Sequence, residues 1–159
     1  FYRLPTEAEW EFAAKMGRHE GPLASYAWTG QQSTQKVGTL QANRFGIHDL
    51  IGNVAEWTYD QYSPDFYAKG GGKDPVNEPV LLYPHVVRGG SYQSDAQYLS
   101  PTAQDYSDPS WKQIDPQVPK SNWWMPDAPF VGIRLVRPVK TPSAEEIAKY
   151  YDKTPIKDY

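Results

Sequence analysis

Only two stretches of this 159-residue chain carry helix-start signals, and they lie near its two ends. In PTEAEW, Thr6 and Glu9 form a capping box: the hydroxyl accepts from the Glu9 backbone N–H, the carboxylate reaches back to Thr6, and Pro5 stops extension upstream. Trp10, Ala13 and Ala14 then share a face, and Gly17 ends the helix. Ser143 and Glu146 repeat the pattern after Pro142. Ile147, Tyr150 and Tyr151 supply an apolar stripe on that charged segment, which predicts a peripheral helix or a docking tail.

The long interval between must therefore be strands and turns. Residues 84–88 (PHVVR) and 130–137 (FVGIRLVR) read as strands, the latter with Val131, Ile133 and Leu135 on one side and Arg134 on the other. Ser63 to Pro79 and Pro101 to Pro129 are rich in turn formers and predict long surface connections. With 15 Pro, 12 Gly and 14% aromatic residues, the chain reads as one loop-rich domain packed by large rings.

Charge and residue usage exclude several functions. The net charge of −3, with scattered Lys and Arg, offers no field for nucleic acid. No apolar run approaches the roughly 20 residues of a membrane span. The chain has no cysteine, which removes disulfides, thiolate metal sites and a cysteine nucleophile.

One loop carries a candidate metal pattern. In HDLIGNVAEW, Asp49, Gly52, Val54 and Glu56 are spaced so that two carboxylates and two backbone carbonyls could converge, a hard oxygen set suited to Ca²⁺. The same residues also describe an Asp-capped turn followed by a solvated glutamate.

Four blocks, RLPTEAEWEFAA (Arg3 to Ala14), FGIHDLIGNVAEW (Phe45 to Trp57), VVRGGSY (Val86 to Tyr92) and VGIRLVRP (Val131 to Pro138), stand in an order that resembles the formylglycine-generating enzyme, or sulfatase-modifying factor, family. The resemblance implies an irregular α+β fold of the C-type-lectin-like kind, low in regular secondary structure. It maps residues 1–138 onto the C-terminal portion of the family domain and leaves 139–159 as a helix and tail. The family's N-terminal portion, which precedes RLPTEAEW, is then expected to be cleaved away or supplied by another chain. The family's calcium site falls on Asp49 and Glu56 through side chains and on Gly52 and Val54 through carbonyls.

The catalytic comparison points the other way. Members of the family oxidise a substrate cysteine with copper held by two thiolates, soft ligands that suit Cu(I). Aligned on RGGSY, those positions are Ser94 and Leu99, so no copper is expected. Ser91 matches the family's active-site serine, and Ala55 stands where the family's G-N-x-W-E-W block has tryptophan.

These readings lead to a calcium-stabilised binding or assembly module without copper-dependent cysteine oxidation. Its expected partner is a protein or a second chain completing the domain, with a peptide or glycan as ligand. The alternatives are a cysteine-free oxidoreductase of the non-haem iron type and a structural subunit of a bacterial envelope or enzyme assembly. Iron would need two histidines and a carboxylate, and His19, His48 and His85 form no such spacing. Trp123, Trp124 and Tyr92, with Trp111, Tyr98 and Tyr106, read either as a recognition surface or as rings wedged into the core. Arg88 and Arg134 are expected to brace loops through carboxylates or carbonyls. The resemblance suggests a bacterial protein, periplasmic or exported.

Overall fold

A computed structural model describes residues 1–70, 72–111 and 128–153. Helix α1 (Glu7–Gly17) starts on the Thr6 capping box, with Thr6 Oγ1 accepting from Glu9 N at 3.2 Å and Glu9 Oε2 accepting from Thr6 N at 2.9 Å. It lies against a four-stranded sheet of order β3-β2-β1-β4. The strands are β1 (Ala55–Gln61), β2 (His85–Arg88), β3 (Gln104–Tyr106) and β4 (Val131–Ile133). β2 runs antiparallel to both β1 and β3, whereas β4 joins β1 in parallel, with Glu56 opposite Arg88 on one side and Gly132 on the other.

Trp10 and Ala14 pack from the inward face of α1 onto Ala27, Leu50 and Ile51, with Tyr26 and Leu99 at the margin. Beside this core Gly52 lets its loop approach the Trp28 backbone closely: its φ is +77°, and a Cβ there would collide with the Trp28 carbonyl oxygen.

β3 lies within residues 101–129, which read as a surface connection, because its three exposed residues carry no apolar alternation and it is held by pairing with β2. The sheet departs from the sequence reading in two further places. Over 130–137 the strand is short, since β4 stops at Ile133 and Val136 makes only an isolated pairing with Arg3. Ile133 and Leu135 face outward at 66% and 55% exposure while Arg134 turns inward, because Arg134 has a buried carboxylate to meet. The second departure is β1, the central strand, which the sequence analysis did not anticipate. Its residues Glu56, Thr58 and Asp60 are buried and polar, so the apolar alternation that reveals a half-buried strand is missing.

Helix α2 (Ala144–Tyr151) has its own capping box on Ser143 and Glu146. It docks on the chain's own beginning: Tyr150 packs on Phe1 and Tyr59 with ring centres 5.4 and 5.5 Å apart, and Tyr151 donates to the Tyr2 carbonyl at 2.6 Å. Lys153 reaches Glu78 at 2.8 Å.

Candidate functional site

Between α1 and the sheet lies a layer of charge. Arg88, 2% exposed, donates from one guanidinium nitrogen to Glu7 Oε1 at 3.1 Å and from the other to Glu11 and to the Pro101 carbonyl, while its plane lies 5.2 Å over the Trp10 ring. Among the described residues its Nε has no acceptor; it belongs to the group stacked over Trp10. Glu7 also accepts from Gln104 Nε2 and Tyr67 Oη. Burial holds the Glu7 carboxyl above its ordinary range despite Arg88. Asp60, with no exposed surface, caps the start of α1 by accepting from Glu7 N at 2.7 Å and also takes Asn77 N at 2.9 Å. Burial raises its carboxyl as well, outweighing both N–H groups.

A second pair closes the other end of this layer. Glu56, 3% exposed, accepts from Trp10 Nε1 at 2.8 Å and from Arg134 Nε and Nη2 at 2.8 and 2.6 Å. Arg134 Nη2 donates further to the His48 carbonyl at 2.8 Å. Both arginines thus brace loops through carboxylates and carbonyls, as their sequence positions suggest. Glu7, Glu11, Asp60 and Trp10 Nε1 were not foreseen as members of the network; the only signal was an acidic first turn following a Thr cap.

The Asp49–Glu56 loop turns through left-handed backbone at Asp49, Gly52 and Asn53. Asn53 locks it by accepting from Gln35 N at 3.0 Å and donating to Gln35 O at 3.1 Å. Asp49, Val54 and Glu56 line one open hollow of about 610 Å³ together with His48, Arg134, Ile133 and Leu135. Asp49 Oδ2 accepts from Gly38 N at 2.7 Å, and among the described residues no donor reaches Oδ1. Asp49 Oδ1 is thus the open carboxylate oxygen of this loop, of the hard kind that Ca²⁺ takes. A Ca²⁺ ion held as the family resemblance implies would take Asp49, the Gly52 and Val54 carbonyls and Glu56, whose two oxygens Arg134 and Trp10 already engage.

The positions aligned with the family's copper cysteines do meet in space. A Cβ on Gly90, whose φ is +65°, would come within 2.2 Å of Leu99 Cδ2 and 3.2 Å of Ser94 Oγ, so the two side chains pack together over this glycine. Ser94 Oγ accepts from Ser91 N at 3.0 Å and Ser91 Oγ accepts from Gln93 N at 3.2 Å. The adjoining cleft is about 200 Å³ and is bordered by Ala55, Ser91, Ser94, Asp105, Trp111 and Phe130.

The other candidates are separated. Tyr92 is buried at 4% exposure, its Oη accepting from Gln93 Nε2 at 3.2 Å, so it is a packing residue rather than a presented ring. The reason is its register: its N–H donates to the Asn53 carbonyl and its carbonyl accepts from Gln31 N, which turns the ring inward. Trp123 and Trp124 lie outside the described residues. His48 Nδ1 pairs with the Leu40 carbonyl, His85 Nε2 with the Leu81 carbonyl, and His19 stacks on Tyr26 at 4.2 Å. Burial lowers the His19 pKa. Among the described residues no three His, Cys, Asp or Glu side chains converge on a metal position.

A small mixed sheet, two short helices and long ordered loops around a glycine-rich turn define an irregular α+β fold of the formylglycine-generating-enzyme kind. The chain matches the sulfatase-modifying factor enzyme 1-like domain over residues 2–139, and it belongs to that family. It is 34% identical over 121 residues to the formylglycine-generating enzyme of Streptomyces coelicolor, an alignment covering 62% of this chain and 38% of that protein. It is also 35% identical over 105 residues to the serine/threonine-protein kinase Pkn1 of Chlamydia trachomatis, covering 58% of this chain and 16% of Pkn1. Among solved structures, Treponema denticola variable protein 1 matches at a TM-score of 0.61 with 30% identity, over 84% of this chain and 46% of that one. The structure of CarF matches at 0.56 with 30% identity, over 87% and 48%. The chain thus spans about half the length, or less, of the relatives it matches. No helix among the described residues is long and apolar enough to cross a membrane.

Proposed function

We propose that this chain is a binding or assembly module built on the formylglycine-generating-enzyme fold, without copper-dependent cysteine oxidation. The observation that supports this is the pair over Gly90. The aligned positions are adjacent, yet they hold a hydroxyl and a leucine methyl group, neither of which stabilises Cu(I). The neighbouring cleft, at about 200 Å³, is smaller than the ~300 Å³ at which small-molecule pockets begin. Trp111 and Phe130 on its wall suit the edge of a peptide or glycan. The partner is a protein segment completing the fold, in a bacterial periplasmic or exported assembly, and Ca²⁺ at Asp49, Gly52, Val54 and Glu56 steadies the loop beside it.

Copper binding and peptide oxidation test the main claim. The wild-type chain should bind no stoichiometric Cu(I) and should leave the cysteine of a sulfatase-motif peptide unchanged. The S94C/L99C double variant should gain Cu(I) binding, because it restores two adjacent thiols. Conversion of the peptide cysteine by the wild-type chain would sink the proposal. For the calcium part, millimolar Ca²⁺ should raise the melting temperature of the wild type by a few degrees, roughly the effect of 1–2 kcal/mol. D49N should lose that rise, and an equal rise in D49N would remove calcium from this loop.

A further inference from the structure

We infer that the cleft beside Ser91 is a pocket for an ammonium head group, carried by a lysine side chain or by a quaternary ammonium compound. This rests on the reading of the chain as a binding module and names the chemistry that its cleft takes. Strand register places the site. Glu56, Arg88 and Gln104 stand opposite one another on β1, β2 and β3, and all three reach α1, Glu56 meeting Trp10 while Arg88 and Gln104 meet Glu7. Successive side chains on a strand point to opposite faces of the sheet. The neighbouring partners in the same register, Trp57, Val87 and Asp105, therefore share the face away from α1.

Two aromatic rings and one carboxylate meet on that face. Trp111 and Phe130 border the cleft with ring centres 5.1 Å apart and planes at 87°, so they form a corner with a π face on each wall. Trp57 backs Trp111 at 5.8 Å. Asp105 is the one charged side chain among the described residues that border the cleft, and its Oδ1 accepts from Tyr106 N at 2.8 Å. Arg88, beside Val87 on β2, spends its guanidinium on Glu7, Glu11 and the Pro101 carbonyl across the sheet, so its charge does not enter the cleft. Negative ring faces and a carboxylate together attract a cation. A tetrahedral ammonium touches both walls of such a corner at once, whereas a planar guanidinium stacks on one ring. A volume of about 200 Å³ admits a head group rather than a whole ligand.

Chemical-shift titrations of the 159-residue chain test this with four probes: N-acetyl-lysine amide, its Nζ-trimethylated form, the neutral isostere with carbon in place of that quaternary nitrogen, and methyl glucoside. An ammonium probe should bind about tenfold or more tightly than the neutral isostere, with the largest shift at the Trp111 indole N–H. Preference for the unmethylated probe assigns the head group to lysine, and preference for the trimethylated one to a quaternary ammonium compound. W111L should weaken ammonium binding about tenfold, and W111F should keep part of it. D105N should weaken it about threefold or more; it retains the Oδ1 that accepts from Tyr106, so it tests the charge even where W111L fails to fold.

Three results overturn the inference. Equal binding of the neutral isostere, or binding of methyl glucoside alone, leaves the binding module standing with an apolar or glycan ligand. Ammonium binding at full strength in both D105N and W111L places the cation outside this cleft. No response to any probe removes the inference and the use of this cleft as a binding site with it.

Discussion

The two faces of α1 invert the usual arrangement of a surface helix. Its inward side rests on Trp10 and Ala14 but also covers Glu7, Asp60, Glu56 and Arg88, all nearly inaccessible to water. Its outward side carries Phe12 and Met16. The inner layer is tolerable because its charges meet opposite charges or backbone N–H groups, and it contributes specificity more than net stability. Among the described residues the outer stripe has no such compensation. The contrast teaches that burial of charge here follows from a closed hydrogen-bond network, whereas apolar Phe12 and Met16 stand exposed among the described residues.

The largest effect should come from breaking the inner layer. R88M leaves Glu7 and Glu11 without their shared cation and should cost about 3–5 kcal/mol in urea unfolding. The E7Q/R88M double variant should cost less than the sum of the two single variants. Additive costs would show that the pair is not coupled and would dissolve the contrast between the faces.

Arg134 is the more exposed brace, so R134A should cost less, about 1–2 kcal/mol, with a weaker dependence on added salt than an exposed pair would show. Trp10 fluorescence should change with it, because Glu56 keeps only the indole N–H as a direct partner.

Asp60 supplies a test in pH. Its carboxyl is raised above the ordinary value of 3.8 by burial, so the native state holds its proton more tightly than the unfolded chain. Its titration therefore favours folding below 3.8 and loses that contribution as pH rises through the folded-state value. The cost of D60N should accordingly be greater in acid than at neutral pH, measured by paired denaturant titrations. A cost that instead rises with pH would reverse the sign and imply a stabilised carboxylate.

The outer face should give the smallest change. M16K in the chain alone should shift stability by no more than about 0.5 kcal/mol. A loss of several kcal/mol would mean that Met16 already packs in this chain and that the two faces are alike.

Much of the fold was legible because its signals are local. The two capping boxes each need only four residues, and both helices begin where those residues stand. The four blocks that mark the family lie in short ordered stretches, and the matched residues 2–139 enclose all of them. The role of Arg88 and Arg134 as braces was also accessible, since a lone arginine after or within an apolar strand must find acceptors. β1 escaped because its buried residues are polar, and only partners distant in sequence make that burial possible. Glu7 meets Arg88 across the domain, and Glu56 meets Trp10 and Arg134 from opposite directions.

By itself, then, the sequence determined where the helices start, which family the chain belongs to, and that a copper thiolate pair is absent from it. Those follow from residue identity and short-range geometry. Only the tertiary structure decided that Ser94 and Leu99 stand together over Gly90, that Tyr92 is turned inward, and that Ala8, Phe12 and Met16 look out over an open groove. Each depends on what the rest of the chain places opposite a side chain, and no local pattern carries that.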